Sequence, residues 1–391
     1  GIRRRAMPSR PAKWTNIDDA RAIARRRLPK PMWDLLEGGA DDEVTMRRNP
    51  EAFDRYVLRP RALVDVSKID MTTELLGRTV SMPVMLSPTG VSGVWHPEGE
   101  IAVARAAGEA DVYYGLSTGS TKAMDAVAPA GTGPKMFQLY AFKDHDINRL
   151  IMERSRQLGY TSLCLTVDAA AGPGNRERDT RNGMDPGARL TVQSLLSIAL
   201  HPRWALNTAL YGGDRLATVE SLMPPGKHSL QEVRRFLGEK MTASMTWSDV
   251  ERIAKDWDGP FAVKGLMIAE DARRAVDAGA TCVMVSNHGG RQLDGVHAAI
   301  DALPEIVDAV GGRAEILIDG GVRRGTHVLK ALGLGATAVM IGRPYLYGLA
   351  SAGDKGVARI LDIFRTEIRR GMALLGARSI GEIDGSFVAS R

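Results

Sequence analysis

From Met82 onward, short and mostly apolar runs alternate with segments in which apolar residues recur at helical spacing. The runs Val84–Ser87, Tyr113–Ser117, Met136–Tyr140, Leu163–Asp168, Phe261–Lys264, Thr281–Ser286, Ile316–Asp319 and Ala338–Ile341 read as buried strands. Between most of them lie the helical patterns Glu98–Ala110, Thr121–Val127, Asp146–Leu158, Ser248–Asp256, Ala269–Ala278, Ala298–Val310 and Gly325–Leu332, with Lys355–Leu375 at the end. This alternation predicts an α/β fold, a single closed (β/α)8 barrel, in preference to a doubly wound sheet. Tyr140, Asp168, Lys264, His288, Asp319 and Arg343 all fall at or just after the apolar runs. In a barrel they share one rim, the face on which barrels carry their reactive groups.

The flanks predict further elements. Asn16–Leu28 reads as a helix capped by Asn16, with Asp18 and Asp19 in its first turn and Arg25, Arg26 and Arg27 in its last. A second short helix, Met32–Glu37, stops at Gly38-Gly39. Pro60–Thr79 reads as irregular, and its Leu and Val content suits closing the bottom of a larger unit. Residues 169–245, after the fourth strand, break the rhythm, since barrel loops usually run ~2–6 residues. Pro173, Pro186, Pro202, Pro224 and Pro225 forbid one continuous helix there. Within it Leu190–Tyr211 is apolar and broken by His201-Pro202-Arg203. Two readings stand: a lid or subunit contact, or an interfacial membrane anchor of two short helices. Met7 reads as the natural start, and residues 1–13 are taken as a disordered or expression-derived tail outside the 14–391 unit.

Composition narrows the class. The 391 residues are 44% hydrophobic and 25% charged, a globular balance with length for a large core. The net charge of +6, from 52 Lys+Arg against 46 Asp+Glu, is scattered without zinc-finger spacing or an aromatic-basic ribbon, which argues against nucleic acid. Such an excess favours anionic small molecules or an anionic membrane surface. Cys164 and Cys282 each sit in a strand-like run and read as buried reduced thiols of a cytoplasmic protein, offering neither a disulfide nor a metal set. No apolar run reaches the ~18–20 residues of a membrane-spanning helix. The Arg-rich opening lacks the apolar core of a secretory signal.

The segment Ser286-Asn287-His288-Gly289-Gly290-Arg291-Gln292-Leu293-Asp294 carries the candidate chemistry. An imidazole and a guanidinium three residues apart, separated by two glycines, suit proton abstraction from a carboxylate-bearing substrate. An isolated His-x-x-Arg more often only satisfies backbone carbonyls. Glycine-rich turns after the seventh and eighth strands, Asp319-Gly320-Gly321-Val322-Arg323 and Ile341-Gly342-Arg343, form the usual barrel phosphate site. No dinucleotide fingerprint follows a first strand.

Together with Phe137-Gln138-Leu139-Tyr140, Thr166-Val167-Asp168, Gly174-Asn175-Arg176-Glu177-Arg178-Asp179 and Val263-Lys264-Gly265, these segments resemble the FMN-dependent 2-hydroxy acid oxidases and dehydrogenases. That family includes respiratory L-lactate dehydrogenase and mandelate dehydrogenase, and the resemblance spans roughly Trp14 to Ile383. It implies FMN as cofactor. Gly321, Arg323, Gly342 and Arg343 would hold its phosphate, and Asp319 its ribityl chain. Thr89, Ser117, Gln138, Thr166 and Ser286 would lie along the isoalloxazine ring, with Lys264 beside N1 and O2. His288 would take the proton of the 2-hydroxyl, oriented by Asp168, while the C2 hydrogen leaves with its electron pair to the flavin. Arg291, Arg176 and Tyr140 would hold the substrate.

The resemblance further implies an L-2-hydroxy acid as substrate, lactate- or mandelate-like, and a homotetramer. Electrons would pass to a quinone or another carrier. Residues 190–211 match the position of a membrane segment in mandelate dehydrogenase, which would place the protein on the inner face of the cytoplasmic membrane. Alternatives are an oxygen-using oxidase or monooxygenase, a relative that oxidises a modified peptide, and a non-catalytic flavin scaffold. Gly90 stands where the oxidases commonly carry alanine and favours a dehydrogenase. Leu35 departs from the family, which has a carboxylate-gripping tyrosine there.

Overall fold

The computed structural model describes residues 10–169, 172, 174–185, 188–211, 215–224, 226, 228 and 230–391. Eight strands close into a parallel barrel: β1 Val84–Thr89, β2 Tyr114–Ser117, β3 Lys135–Leu139, β4 Ser162–Thr166, β5 Phe261–Leu266, β6 Cys282–Val285, β7 Glu315–Ile318 and β8 Ala338–Ile341. They pair in chain order, and β8 meets β1 with Val339 opposite Val84 and Ile341 opposite Leu86. Alternate residues serve two cores, as the two-residue period of a strand requires. Met85, Met136, Cys164, Ala262, Met284, Leu317 and Met340 fill the barrel, while Val84, Leu86, Val263, Val283 and Val339 join the core shared with the helices. Both cysteines lie in the inner cluster, free and buried.

The bottom of the barrel is closed by a hairpin, so the irregular reading of Pro60–Thr79 is corrected at this point. Thr73–Leu75 pairs antiparallel with Arg78–Val80 around a two-residue turn, Leu76-Gly77, with φ of 49° and 72°. Positive φ at both central residues matches the turn to the twist of the strands. Strands of three residues are too short for alternation to register in sequence. Leu75, Leu76 and Val80 join the inner cluster, and the Leu76 N–H donates to both Glu315 carboxylate oxygens, at 3.0 and 2.8 Å.

Three helices precede the barrel: α1 Ile17–Arg27, α2 Lys30–Glu37 and α3 Val44–Glu51. Asn16 caps α1, its side chain accepting from Asp19 N–H at 3.0 Å. Helix α3 was not expected, because its cap is remote: Asp294 accepts from Val44 N–H at 3.0 Å and Thr45 N–H at 2.7 Å. The helix expected from Thr121 begins only at Met124, since Thr121 turns its N–H and hydroxyl to Glu100. The last helix starts at Arg343 instead of Lys355 and breaks at Ala352-Gly353 before running on to Leu375.

The long segment after β4 contains helices Glu177–Arg181, Val192–Ala199, Pro202–Tyr211, Ala217–Glu220 and Leu230–Lys240. Pro202 opens one of them, at the position where its missing N–H costs nothing. Pro173, Pro186 and Pro225 lie outside the described residues. Of the proposed tail, residues 11–13 form a 3-10 turn and residues 1–9 lie outside the described residues.

Leu75 is fully buried in the barrel floor. Leu75→Ala should therefore lower unfolding free energy by about 2–5 kcal/mol in a denaturant titration, and a loss below about 1 kcal/mol would show that the hairpin does not seal the core.

Candidate active site

The turn after β6 is held in shape from outside. His288, Gly289 and Gly290 take φ of 57°, 65° and 74°, a left-handed run that is uncommon for a residue other than glycine and that neighbours support here. Helix α3 does so. Asn287 and Asn49 exchange buried amide hydrogen bonds at 2.9 and 2.8 Å. A Cβ on Gly290 would stand 2.5 Å from the Met46 nitrogen, so only glycine allows this approach. Gly321 likewise presses on α3, where a Cβ would meet the Asn49 backbone at 2.3 Å. The sequence reading missed Asn49 and assigned no role to Asp294, because both act on partners remote in the chain.

Four groups converge on the rim. His288 Nδ1 lies 3.0 and 3.1 Å from the two Asp168 oxygens, which leaves Nε2 as the free nitrogen. Burial works to raise the Asp168 pKa, but the facing imidazole and Lys264 outweigh it and hold the carboxyl below its usual range. Lys264 Nζ donates to Ser286 Oγ at 2.7 Å and pairs with Asp319 at 3.2 Å. Burial opposes its charge, yet Asp319 and Asp168 push its pKa above the ordinary amine value. Tyr140 is pushed up to about 12, by burial first and then by Asp168, so it is a neutral phenol able to donate.

Three guanidiniums meet at the carbonyl end of α2. Arg291 Nη1 donates to Leu35 O at 2.9 Å and Gly38 O at 3.2 Å, and Arg176 Nη2 donates to Leu35 O at 3.1 Å. Arg343 donates to Leu36 O at 3.2 Å, Gly289 O at 2.9 Å and Gly38 O at 2.9 Å. Asp179 pairs with Arg176 at 3.1 Å. Burial lowers the pKa of all three arginines, and Arg291 is lowered further by Arg176 and Arg343. A guanidinium stays charged even so, and the cluster therefore favours an anion in front of it.

The cavity bounded by these groups has a polar side, with Ser87, Thr89, Ser117, Tyr140, Lys264, His288, Arg291 and Asp319, and an apolar wall of Leu35, Leu36, Val91, Trp95 and Leu346. Gly321, Arg323, Gly342 and Arg343 line it at the ends of β7 and β8. Ser87 Oγ, Gln138 Nε2, Thr166 Oγ1 and Asp319 Oδ1 are buried with no protein partner. Ser117 Oγ donates to Gln138 Oε1 at 2.8 Å and so leaves that amide NH2 free. Of the four unmet groups, those of Ser87 and Asp319 line the cavity and those of Gln138 and Thr166 are buried outside its lining. Such donors and acceptors fit a heterocycle with alternating acceptor and donor edges, as in a flavin.

The structure brings Thr89, Ser117, Tyr140, Lys264, His288, Arg291 and Asp319 to the cavity with the phosphate-loop residues. Gln138, Thr166, Asp168, Arg176 and Ser286 are absent from its lining; of these, Ser286, Asp168, Gln138 and Arg176 bond to residues that do line it. Arg343, expected on the phosphate, gives three of its donors to carbonyls and keeps the rest for an anion. Among the described residues no group of His, Cys, Asp and Glu is arranged to hold a metal ion.

Asn49→Ala would take two hydrogen bonds from the buried Asn287 amide and leave it those with His297 O and Gly290 N–H. It should cost about 1–3 kcal/mol and loosen the His288 turn. Thermal melting and flavin retention on a desalting column check this, and unchanged values for both would show that α3 does not hold the turn.

Comparison with known proteins agrees with this geometry. The sequence profile described as FMN-dependent dehydrogenase matches residues 24–390. The chain is 40% identical to an L-lactate oxidase of Nostoc sp. over 379 residues, which is 95% of this chain and 97% of that protein. It is 43% identical to an L-lactate dehydrogenase of Caulobacter vibrioides over 379 residues, 96% of this chain and 98% of the relative. The crystal structure of the monotopic membrane protein (S)-mandelate dehydrogenase superposes with a TM-score of 0.92 at 36% identity, covering 97% of this chain and 100% of that one. The chain is a member of the FMN-dependent dehydrogenase family, and FMN is its cofactor.

Proposed function

We propose that the protein oxidises an L-2-hydroxy acid, lactate- or mandelate-like, to the 2-oxo acid and passes the electrons to a quinone or another carrier. One observation carries this reading: the His288–Asp168 pair and the partly buried Arg291 face one cavity with Lys264. Arg291, backed by Arg176, receives the substrate carboxylate. His288 Nε2 accepts the proton of the 2-hydroxyl, and Asp168, kept ionised, stabilises the imidazolium that results. Tyr140, neutral, donates to the same oxygen. FMN, when bound, supplies the two-electron acceptor for the hydrogen leaving C2. Lys264, which lines the cavity, would supply positive charge to offset the negative charge such an acceptor gains. Gln138, Thr166 and Asp319 would meet the ring and ribityl chain, and Arg323, Gly321 and Gly342 the phosphate.

Gly90 supports a carrier over oxygen as acceptor. A Cβ there would lie 3.1 Å from Gly119 O, so alanine fits only if the neighbouring loop gives way. The relatives include both an oxidase and dehydrogenases, and re-oxidation by oxygen against a quinone analogue separates the two.

The insertion supports a peripheral membrane contact. Helix Val192–Ala199 turns its polar side inward: Ser194 Oγ donates to Asn182 O at 3.0 Å, and Ser197 Oγ accepts from Lys30 N–H at 2.8 Å. Its apolar residues face out, with Val192, Leu196 and Leu200 at 72, 60 and 80% exposure. Leu206, Leu210 and Tyr211 continue the exposed apolar face on the next helix. Such a surface reads as an interfacial anchor. Among the described residues no helix is long and apolar enough to cross a membrane. A homotetramer is supported by family resemblance.

His288→Ala should keep its flavin but bleach ~10²–10⁴-fold more slowly with substrate under anaerobic conditions. Bleaching at the parental rate would remove His288 from the mechanism. Leu35 tests substrate size. If it merely replaces a carboxylate contact, Leu35→Tyr should raise kcat/KM for lactate by about one to two decades, the ~1.5–3 kcal/mol of a charged hydrogen bond. If it walls a larger side chain, the same change should hurt mandelate, and no change for either places Leu35 off the substrate path. Replacing Leu195, Leu196, Leu200 and Leu206 with serine should move the protein from membrane to soluble fractions with bleaching intact. A parental protein found wholly soluble, with this face in a subunit contact, decides against the anchor.

A further inference from the structure

Behind the rim, Glu100 opens the helix Glu100–Glu109 and is fully buried. A buried carboxylate persists only where donors meet it. Here Oε1 accepts from Ser92 N–H at 3.0 Å and Thr121 N–H at 2.9 Å, and Oε2 from Thr121 Oγ1 at 2.6 Å and Lys122 N–H at 3.2 Å. Ser92 lies in the loop after β1, and Thr121 and Lys122 lie in the loop after β2. The same two loops are laced directly: Val91 N–H donates to Gly119 O at 2.9 Å, and Gly93 N–H to Thr121 Oγ1 at 2.9 Å. Val91, β-branched, holds a left-handed φ of 53°, which needs a rigid surround.

The near ends of these loops, Thr89 to Val91 and Ser117, line the flavin cavity. Their far side is tied to the insertion, through Ser120 Oγ and Thr218 Oγ1 at 2.7 Å and through Val91 packed against the Leu216, Val219 and Val233 cluster. All four hydrogen bonds accepted by Glu100 therefore end on segments whose spacing shapes one wall of the cavity.

We propose that Glu100 is a positioning residue for the flavin site: its buried carboxylate clamps the β1 and β2 loops together and so fixes the cavity wall formed by Thr89, Gly90, Val91 and Ser117. This rests on the flavin reading of the cavity. It needs no contact between Glu100 and substrate or cofactor. An amide in place of the carboxylate can accept on one side only; on the other its NH2 would face the Lys122 N–H, and the Thr121 hydroxyl would have to turn from donor to acceptor.

Glu100→Gln, purified with FMN, should show shifted visible flavin bands and anaerobic bleaching by the best 2-hydroxy acid slowed about 10- to 100-fold, the scale of a small misplacement at a reacting centre. Thr121→Val, which removes one of the four bonds from the opposite side together with the Gly93 N–H contact to the same hydroxyl, should act in the same direction. The combined variant should be slower than Glu100→Gln by less than the full effect of Thr121→Val, because the two share the Glu100–Thr121 contact and only the Gly93 bond is lost in addition. A lower melting temperature with parental bands and parental bleaching in the flavin-loaded fraction would make Glu100 merely structural and overturn the proposal. If Glu100→Gln does not fold, Thr121→Val decides, and parental bands and bleaching in it overturn the proposal equally. A parental protein that no 2-hydroxy acid bleaches would instead sink the proposed reaction, and the flavin bands of the variants would still decide on Glu100.

Discussion

The site is built around the cost of burying three guanidiniums side by side. Arg176, Arg291 and Arg343, each largely withdrawn from water, donate to the carbonyl end of α2, which offers Leu35 O, Leu36 O and Gly38 O, while Arg291 still feels the charges of the other two. A helix C-terminus carries about half a negative charge, so it lowers this cost without cancelling it. The surplus favours anions, and a substrate carboxylate and a cofactor phosphate both supply one. Binding either should therefore stabilise the fold as well as complete the site, since a ligand that prefers the native state adds to its stability by mass action.

A second constraint acts on the other side of the cavity. His288 sits at positive φ with its Nδ1 turned to Asp168, and the strain is carried by contacts of helix α3. Asn49 grips Asn287, Asp294 caps α3, and glycines at 290 and 321 let the helix come close. The signature turn and α3 thus define each other. The catalytic geometry depends on an element lying more than two hundred residues earlier in the chain.

This explains what was legible in the sequence. The barrel was, because each strand writes its own apolar run and each strand end its own polar residue; Tyr140, Asp168, Lys264 and Asp319 fall where those runs end. The His288–Arg291 turn was legible through its glycines. Helix α3 was not, because its cap is remote; the floor hairpin was not, because three-residue strands are too short for alternation to register; and nothing local to Glu100 marks it as joining two loops. Asp294 caps across 250 positions, and Glu315 receives Leu76 across 239. Local periodicity carries no trace of such pairs. The insertion was half legible: its apolar content showed, but only the folded chain shows Ser194 and Ser197 facing in and the leucines facing out.

Leu35 shows how such an arrangement tolerates change. Its carbonyl anchors Arg291 and Arg176, and a carbonyl is the same whichever side chain the residue bears. Replacing the family tyrosine with leucine therefore removes a phenol from the cavity without releasing either arginine. On the proposed reading carboxylate binding keeps its principal charge, while the wall shared by Leu35, Val91 and Trp95 is apolar. Burying an apolar substituent against such a wall is worth about 25 cal/mol per Å², so a phenyl-sized group could recover the energy of the lost hydrogen bond. Backbone anchoring of the charged groups separates the recognition of the carboxylate from the recognition of what it is attached to.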